Sequence, residues 1–302
     1  VPVPPQIKQL QAGPQVVIAT PGRLVDLMDR GNCKLDSCRY VVMDEADRML
    51  DMGFEPQIKK IFQVLPSSDA TESGGERRQT LLFTATWPKG VRKMAGKFLT
   101  ADAIQVIVGG NTDGELEANR AIKQVFVEST DDEKDAKLWK LLTSLPEKSR
   151  VLCFANTKRR VEYLANALWD EGMSTCSIHG DRQQHERDKA VVDFSNGKTM
   201  LMVATDVAAR GLDIKGVTHV INFDMARDVE SYIHRIGRTG RAGEVGESIT
   251  FWNPDYDKEC TPALIKIARD ALQEVPEFLL KYEKVKASKQ WKPQDANLIL
   301  PP

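Results

Sequence analysis

Val41-Val42-Met43-Asp44-Glu45-Ala46-Asp47 is the stretch on which the fold of this chain turns. Its three leading apolar residues read as the buried end of a strand, and carboxylates follow at Asp44, Glu45 and Asp47. Like charges this close repel and are costly to bury, so a metal ion or a cationic partner is needed to hold them together. Open α/β sheets place their ligands at the C-terminal ends of parallel strands. There the cluster suits a hydrated Mg²⁺ and a base for water. The same residues also suit the first turn of a helix, where Asp and Glu are favoured. The tetrapeptide leaves both readings open.

Outward from that stretch, Val- and Ile-rich runs alternate with amphipathic ones. The runs read as strands are 15–20, 40–44, 80–84 and 105–108, then 124–128, 150–154, 175–179, 199–204, 219–223 and 248–252. Between them Leu138, Leu141, Leu142 and Leu145 fall at i, i+3, i+4 and i+7. Val161, Leu164, Ala165 and Leu168 repeat that spacing after a candidate N-cap at Thr157. Strands alternating with helices of this length mean βαβ units and parallel sheets.

Gly109-Gly110-Asn111-Thr112-Asp113-Gly114, followed by 115–119, is polar and without periodicity. It is the expected linker, and it divides the chain into domains at 1–110 and 119–278, with 111–118 between them and an extension over 279–302. The segment Ser67–Glu76 reads as a solvated surface loop.

The 302 residues carry a formal net charge of −1, so no global basic field draws them to nucleic acid, and any such binding must come from local clusters. Five cysteines without metal-ligand spacing argue against a disulfide framework or a zinc site and favour a reducing, intracellular setting. No apolar run approaches membrane-spanning length. Gly197-Lys198-Thr199 imitates the end of a P-loop, but that pattern needs glycine where Val192 stands. No other Gly-Lys-Ser/Thr occurs.

Thr20-Pro21-Gly22-Arg23 closes the first strand candidate and opens a helix. It is either an ordinary helix start or a hydroxyl, exposed N–H groups and an Arg able to hold a phosphodiester. Thr84-Ala85-Thr86 ends another strand, and its two hydroxyls could bond Asp47 from a neighbouring strand. Threonine is also simply a good strand and cap residue. In the second half Phe154-Ala155-Asn156-Thr157, His179-Gly180-Asp181 and Thr205-Asp206 each close a strand, which lines one rim with small and polar groups. Gln184 and Arg187 stand one helical turn apart and can address one ligand. His234-Arg235-Ile236-Gly237-Arg238-Thr239-Gly240-Arg241 is too densely charged and too rich in glycine for a good surface helix. An anion repays that cost, since Arg forks match phosphate oxygens and glycine lets the backbone approach.

On these residues the chain resembles the DEAD-box ATP-dependent RNA helicases of helicase superfamily two. The resemblance runs from about Gln15 to Phe278 and rests on an ordered series: TPGR, DEAD, TAT in place of the usual SAT, FANT, HGD with Gln184 and Arg187, ATDVAARGLD, and HRIGRTGR. It implies an α/β fold of two tandem RecA-like parallel-sheet domains, with ATP and Mg²⁺ as cofactors and RNA as the partner. By the same resemblance Asp44 would hold Mg²⁺ through water, Glu45 would orient or deprotonate the attacking water, and Arg238 and Arg241 would be arginine fingers. Asp47 would bond Thr84 or Thr86 and His234, coupling hydrolysis to closure, and Asp213 would contact the nucleotide. Thr20, Gly22, Arg23, Thr157, Gly180, Arg187 and Thr205 would hold RNA by its backbone.

The departures also set expectations. The family's P-loop would lie before Val1, so the first domain is expected to be incomplete, with exposed strand edges, and the 302 residues alone to be inactive. The second domain is expected to fold alone. A naturally short, non-catalytic RNA-binding or adaptor protein is the alternative reading. Thr86-Trp87-Pro88-Lys89 and Ala155-Asn156-Thr157-Lys158 look most like the family's nuclear, RNA-remodelling and ribosome-assembly branch, and a nuclear or nucleolar setting, ribonucleoprotein partners and a monomeric state are expected.

Overall fold

The computed structural model describes residues 2–68, 77–87, 89–107, 117–209, 212, 214–241 and 243–285. The chain separates into two compact units, Val1–Leu116 and Glu117–Pro302.

The first unit runs α1 (Val3–Gln11), α2 (Pro21–Asp29), β1 (Tyr40–Met43), α3 (Ala46–Asp51), α4 (Glu55–Val64), β2 (Gln79–Leu82) and α5 (Lys89–Phe98). Strands β1 and β2 pair in parallel from Tyr40↔Gln79 to Met43↔Leu82 and form the sheet of this unit among the described residues. Met43 packs with Ala46, Ile58, Met94 and Phe98 into the core, and the Phe62 ring lies tilted against Phe98 with ring centres 4.5 Å apart. Val42, read as buried, is instead 58% exposed, because side chains alternate along a strand and the helices cover the Met43 face.

Residues 15–20 and the described part of 105–108 form no strand. Val16, Ile18 and Val106 are each at least three-quarters exposed there. β-Branched residues favour an extended chain, but a strand exists only where a neighbour accepts its hydrogen bonds.

In the second unit β3 (Ile122–Glu128), β4 (Val151–Phe154), β5 (Thr175–Ile178), β6 (Leu201–Ala204), β7 (His219–Asn222) and β8 (Gly246–Trp252) form one sheet in the order β3-β8-β7-β4-β6-β5, parallel at every pairing. The helices are α6 (Asp131–Ser144), α7 (Lys158–Asp170), α8 (Gln184–Ser195), α9 (Asp206–Ala209), α10 (Val229–Ile236), α11 (Thr261–Asp270) and α12 (Glu277–Leu280). All four residues of β4 and all four of β6 are buried, as expected of a parallel sheet covered on both faces. Val151 and Cys153 face Leu138, Leu142, Val161 and Leu164, while Leu152 and Phe154 face Ala190 and Phe194. The leucine and valine periodicities thus become the inner stripes of α6 and α7, and Thr157 caps α7 by accepting the Arg160 N–H at 3.2 Å.

Packing continues past 278, where the sequence reading ended this domain. Leu279 is fully buried, and Trp252 lies 5.6 Å from Phe278 and 5.2 Å from Tyr282. Those side chains close the core around Trp252, so residues through Tyr282 belong to the folded unit. No helix among the described residues is long and apolar enough to cross a membrane.

Candidate functional site

In the first unit the chain leaves β1 at Met43 and turns sharply before α3. Glu45 makes that turn in the left-handed region, at φ 51° and ψ 50°, which is costly for a residue with a side chain. It stands at the N-cap of α3 without capping it through its side chain. The Asp44 carboxylate accepts the Glu45 N–H at 2.9 Å, and both residues are exposed. Helix capping therefore does not account for these two carboxylates. They present hard oxygen donors at a strand end, and that donor chemistry fits Mg²⁺.

Asp47 points the other way and is 2% exposed. Its Oδ2 accepts the Thr86 hydroxyl at 2.9 Å and the Thr86 N–H at 3.1 Å. Thr84 takes no part in that pair, because its hydroxyl closes onto the Thr86 carbonyl at 2.8 Å. Backbone bonds from Phe83 N–H to Met43 and from Ala46 N–H to Phe83 join the same strand ends. Thr20 is the N-cap residue of α2, yet its hydroxyl does not cap the helix. Gly22 keeps an ordinary φ, and a Cβ there would meet only a Phe54 ring carbon at 3.9 Å. Arg23 Nη1 bonds Gln6 Oε1.

In the second unit the parallel sheet brings the strand ends to one rim. Thr157 follows β4, Thr205 follows β6 and Gly180 follows β5, and those strands are adjacent in that order. Arg187 on α8 reaches back to this rim, with Nη2 on the Ala208 carbonyl at 3.2 Å and Nη1 on Gln184 Oε1 at 3.3 Å. Gly180 is exposed, has an ordinary φ, and would have open space around a Cβ.

The run 234–241 divides by burial. Arg235, read with its neighbours as an anion ligand, is 1% exposed and serves the fold. It forks onto Asp206 at 2.6 and 2.7 Å, bonds Asn156 Oδ1 at 2.7 Å and bonds the Asp224 carbonyl at 2.7 Å. It thereby ties together the chain just beyond β4, β6 and β7. Gly240, at φ +65°, is required by the fold, since a Cβ would meet Ile122 at 2.6 Å. Arg238 and Arg241 lie further out. Arg238 Nη1 bonds the Leu212 carbonyl at 3.3 Å, and Arg241 Nε bonds the Gly237 carbonyl at 2.9 Å. His234 is half-buried in the last turn of α10. Asp213 lies outside the described residues.

The sequence reading passed over Arg235, Asp206 and Asn156 as one network. Tyr232, Arg235 and Ile236 stand at i, i+3 and i+4, the spacing of an inward helix face, and that spacing marks Arg235 as internal. It also passed over Glu162, whose Oε1 accepts from Ser177 Oγ at 3.0 Å, from Arg182 Nε at 3.1 Å and from His179 Nε2.

Comparison with known proteins adds a second line of evidence. Residues 2–94 match the DEAD/DEAH box helicase family, and residues 133–243 match the helicase conserved C-terminal domain. The ATP-dependent RNA helicase DBP2 of Saccharomyces cerevisiae (strain ATCC 204508 / S288c) is 46% identical over 287 residues, covering 94% of this chain and 50% of that protein. The DBP2 of Chaetomium thermophilum is 46% identical over 285 residues, covering 93% and 49%. The chain thus spans about half the length of the curated relatives it matches. The structure of S. cerevisiae Dbp5 bound to RNA and ADP BeF3 superposes with a TM-score of 0.71 at 31% identity, covering 89% of this chain and 70% of that one. With ordered motifs, parallel α/β units and relatives all in agreement, the chain belongs to the DEAD-box helicase family.

Proposed function

We propose that the protein is an ATP-dependent RNA helicase, which remodels RNA at the expense of ATP hydrolysis. The observation that carries this reading is the rim of the second unit. Thr157, Thr205 and Gly180 stand at the ends of three adjacent parallel strands, with Arg187 anchored beside them. Neighbouring strands lie about 4.8 Å apart, so the three form a short track across the sheet. Hydroxyls, an open glycine and a guanidinium along a track are groups that grip a sugar–phosphate backbone without reading its bases. Thr20, Gly22 and Arg23 offer the same chemistry at the start of α2. Neither Gly22 nor Gly180 is required by the fold, which suits the approach of a backbone phosphate at both places.

In this reading Asp44 holds Mg²⁺ through water and Glu45 orients the attacking water as its base. Arg238 and Arg241 offset charge on the transferred phosphoryl group, Asp47 with Thr86 and His234 couples hydrolysis to closure, and Asp213 contacts the nucleotide. Bound ATP and Mg²⁺ would supply the reacting phosphate and neutralise its charge; the protein's part is positioning and electrostatics. Action as a monomer on ribonucleoproteins in the nucleus or nucleolus belongs to the same proposal.

RNA-stimulated ATP hydrolysis by the whole protein is the test. Glu45→Gln should abolish turnover while RNA binding persists. Hydrolysis that is indifferent to RNA, or unchanged in Glu45→Gln, would overturn the reading.

A further inference from the structure

His179-Gly180-Asp181-Arg182 is a tight turn at the end of β5, closed by the Arg182 N–H on the His179 carbonyl at 3.1 Å. Both corner residues send their side chains to one carboxylate. Glu162, from α7, takes His179 Nε2 and Arg182 Nε on Oε1, the latter at 3.1 Å, and Arg182 Nη2 on Oε2 at 3.2 Å. Ser177 Oγ adds a bond to Oε1 at 3.0 Å and receives Arg182 Nη2 at 3.0 Å. Arg182 Nη1 reaches Glu186 at 3.4 Å, and Lys158 at the start of α7 pairs with Asp181 at 2.6 Å.

Burial raises the Glu162 carboxyl, but hydrogen bonds from His179 and Ser177 and the charge of Arg182 outweigh it and hold the group below the usual carboxylate range. An ionised Glu162 is what two corners with converging N–H donors require. His179 is 6% exposed, and its other ring nitrogen, Nδ1, is buried without a hydrogen-bond partner. The ring therefore contributes to the turn through Nε2 alone.

What the clamp presents is Gly180, exposed, with ordinary backbone and open space where a side chain would be. We infer that Glu162 is a positioning residue for nucleic-acid binding: through His179 and Arg182 it fixes the turn that offers Gly180 to a backbone phosphate. This rests on the RNA-binding reading of the rim. Glu162 itself touches no nucleic acid. A glutamine at 179 can place an amide N–H where Nε2 stands, whereas alanine cannot.

The test is fluorescence anisotropy of a short labelled single-stranded RNA with the 302-residue chain, titrated at several salt concentrations. His179→Ala and Glu162→Gln should each weaken binding about tenfold, the size of one charge-assisted contact. Their dependence on salt should stay that of the unsubstituted chain, because no phosphate-neutralising cation is lost. His179→Gln should restore affinity. Arg187→Ala should weaken binding and lower the slope of log K against log salt by roughly 0.7. Circular dichroism melts separate misfolding from lost affinity: a variant that melts early yet binds with unchanged affinity in its folded fraction counts against the inference. Unchanged affinity in His179→Ala and Glu162→Gln beside a weakened Arg187→Ala overturns the positioning role and leaves the RNA reading standing. No RNA binding by the unsubstituted chain, or no effect of Arg187→Ala, overturns the RNA reading of the rim and this inference with it.

Discussion

Thr86 gives both its hydroxyl and its N–H to one oxygen of the Asp47 carboxylate, at 2.9 and 3.1 Å, across 39 positions of sequence. Both residues are buried, so the pair joins the segment after β1 to the segment after β2 where water cannot replace it. The acid of the Asp44–Asp47 group that faces inward is thereby held within the fold, while Asp44 and Glu45 face solvent.

Removing the hydroxyl alone isolates that bond. Thr86→Val should destabilise the first unit by about 1.5–3 kcal/mol, the range for a hydrogen bond to a charged group. Thr86→Ser keeps the donor and should stay close to the parent. Urea unfolding of the chain measures both, and equal stability of the valine and serine variants would remove the bond from the account.

Arg235, Arg238 and Arg241 recur every third residue but predict different phenotypes. Arg235→Met leaves Asp206 without its fork and should cost about 3–5 kcal/mol, the range for breaking a buried ion pair from one side. Adding Asp206→Leu should recover part of that loss. Arg238→Ala and Arg241→Ala should shift stability within about 0.5 kcal/mol. In the whole protein, however, Arg238→Ala should slow ATP hydrolysis at least ~10³-fold, as loss of an arginine finger does elsewhere. Unfolding curves and steady-state hydrolysis, read side by side, separate the two classes.

That contrast also shows what could be read before folding. Val151–Phe154 and Leu201–Ala204 form strands where their apolar runs place them, because a buried parallel strand needs little beyond that run; Tyr40–Met43 also forms where it was read, but with only Met43 buried. Gln15–Thr20 and Gln105–Val108 have similar runs. Pairing depends on a neighbour elsewhere in the chain, which local composition does not encode. Thr157, Gly180 and Thr205 were legible as strand ends, and parallel topology was enough to put them on one rim. Glu162 was not, since its role depends on α7 packing against β5. Arg235 was hidden by its company: a charged residue between anion-binding candidates looks like one of them until its helix face is counted.

Leu272 ends α11 in the left-handed region, at φ 58°, with its N–H on the Arg269 carbonyl and the Gln273 N–H on Ala268. That closure usually takes glycine, and a side chain there costs about 1–2 kcal/mol. The side chain is 75% exposed, so burial offsets little of the strain. Leu272→Gly should therefore raise stability by roughly 1 kcal/mol, visible as a higher melting temperature. A lower one would mean that Leu272 makes contacts outweighing its backbone.

Asp257 sets the direction of pH dependence in the second unit. It keeps some solvent access as a residue, but its carboxylate sits within the fold. Burial pushes the carboxyl up to about 6; the Asn253 N–H and the Lys134 charge oppose that, and Asp224 and Asp131 add to it. A carboxyl raised above its ordinary value near 3.9 favours folding while protonated. Its contribution is complete below about pH 4 and is lost as pH rises through about 6. The loss should amount to about 1–3 kcal/mol. Asp257→Asn preserves an acceptor for the Asn253 N–H, which Asp257 Oδ2 takes at 2.8 Å, and removes the titration. Its stability relative to the parent should rise steadily between pH 4 and about pH 6 and level off above. Urea midpoints of the two proteins across that window give the difference directly, and a flat difference would show that Asp257 ionises at the same pH folded and unfolded.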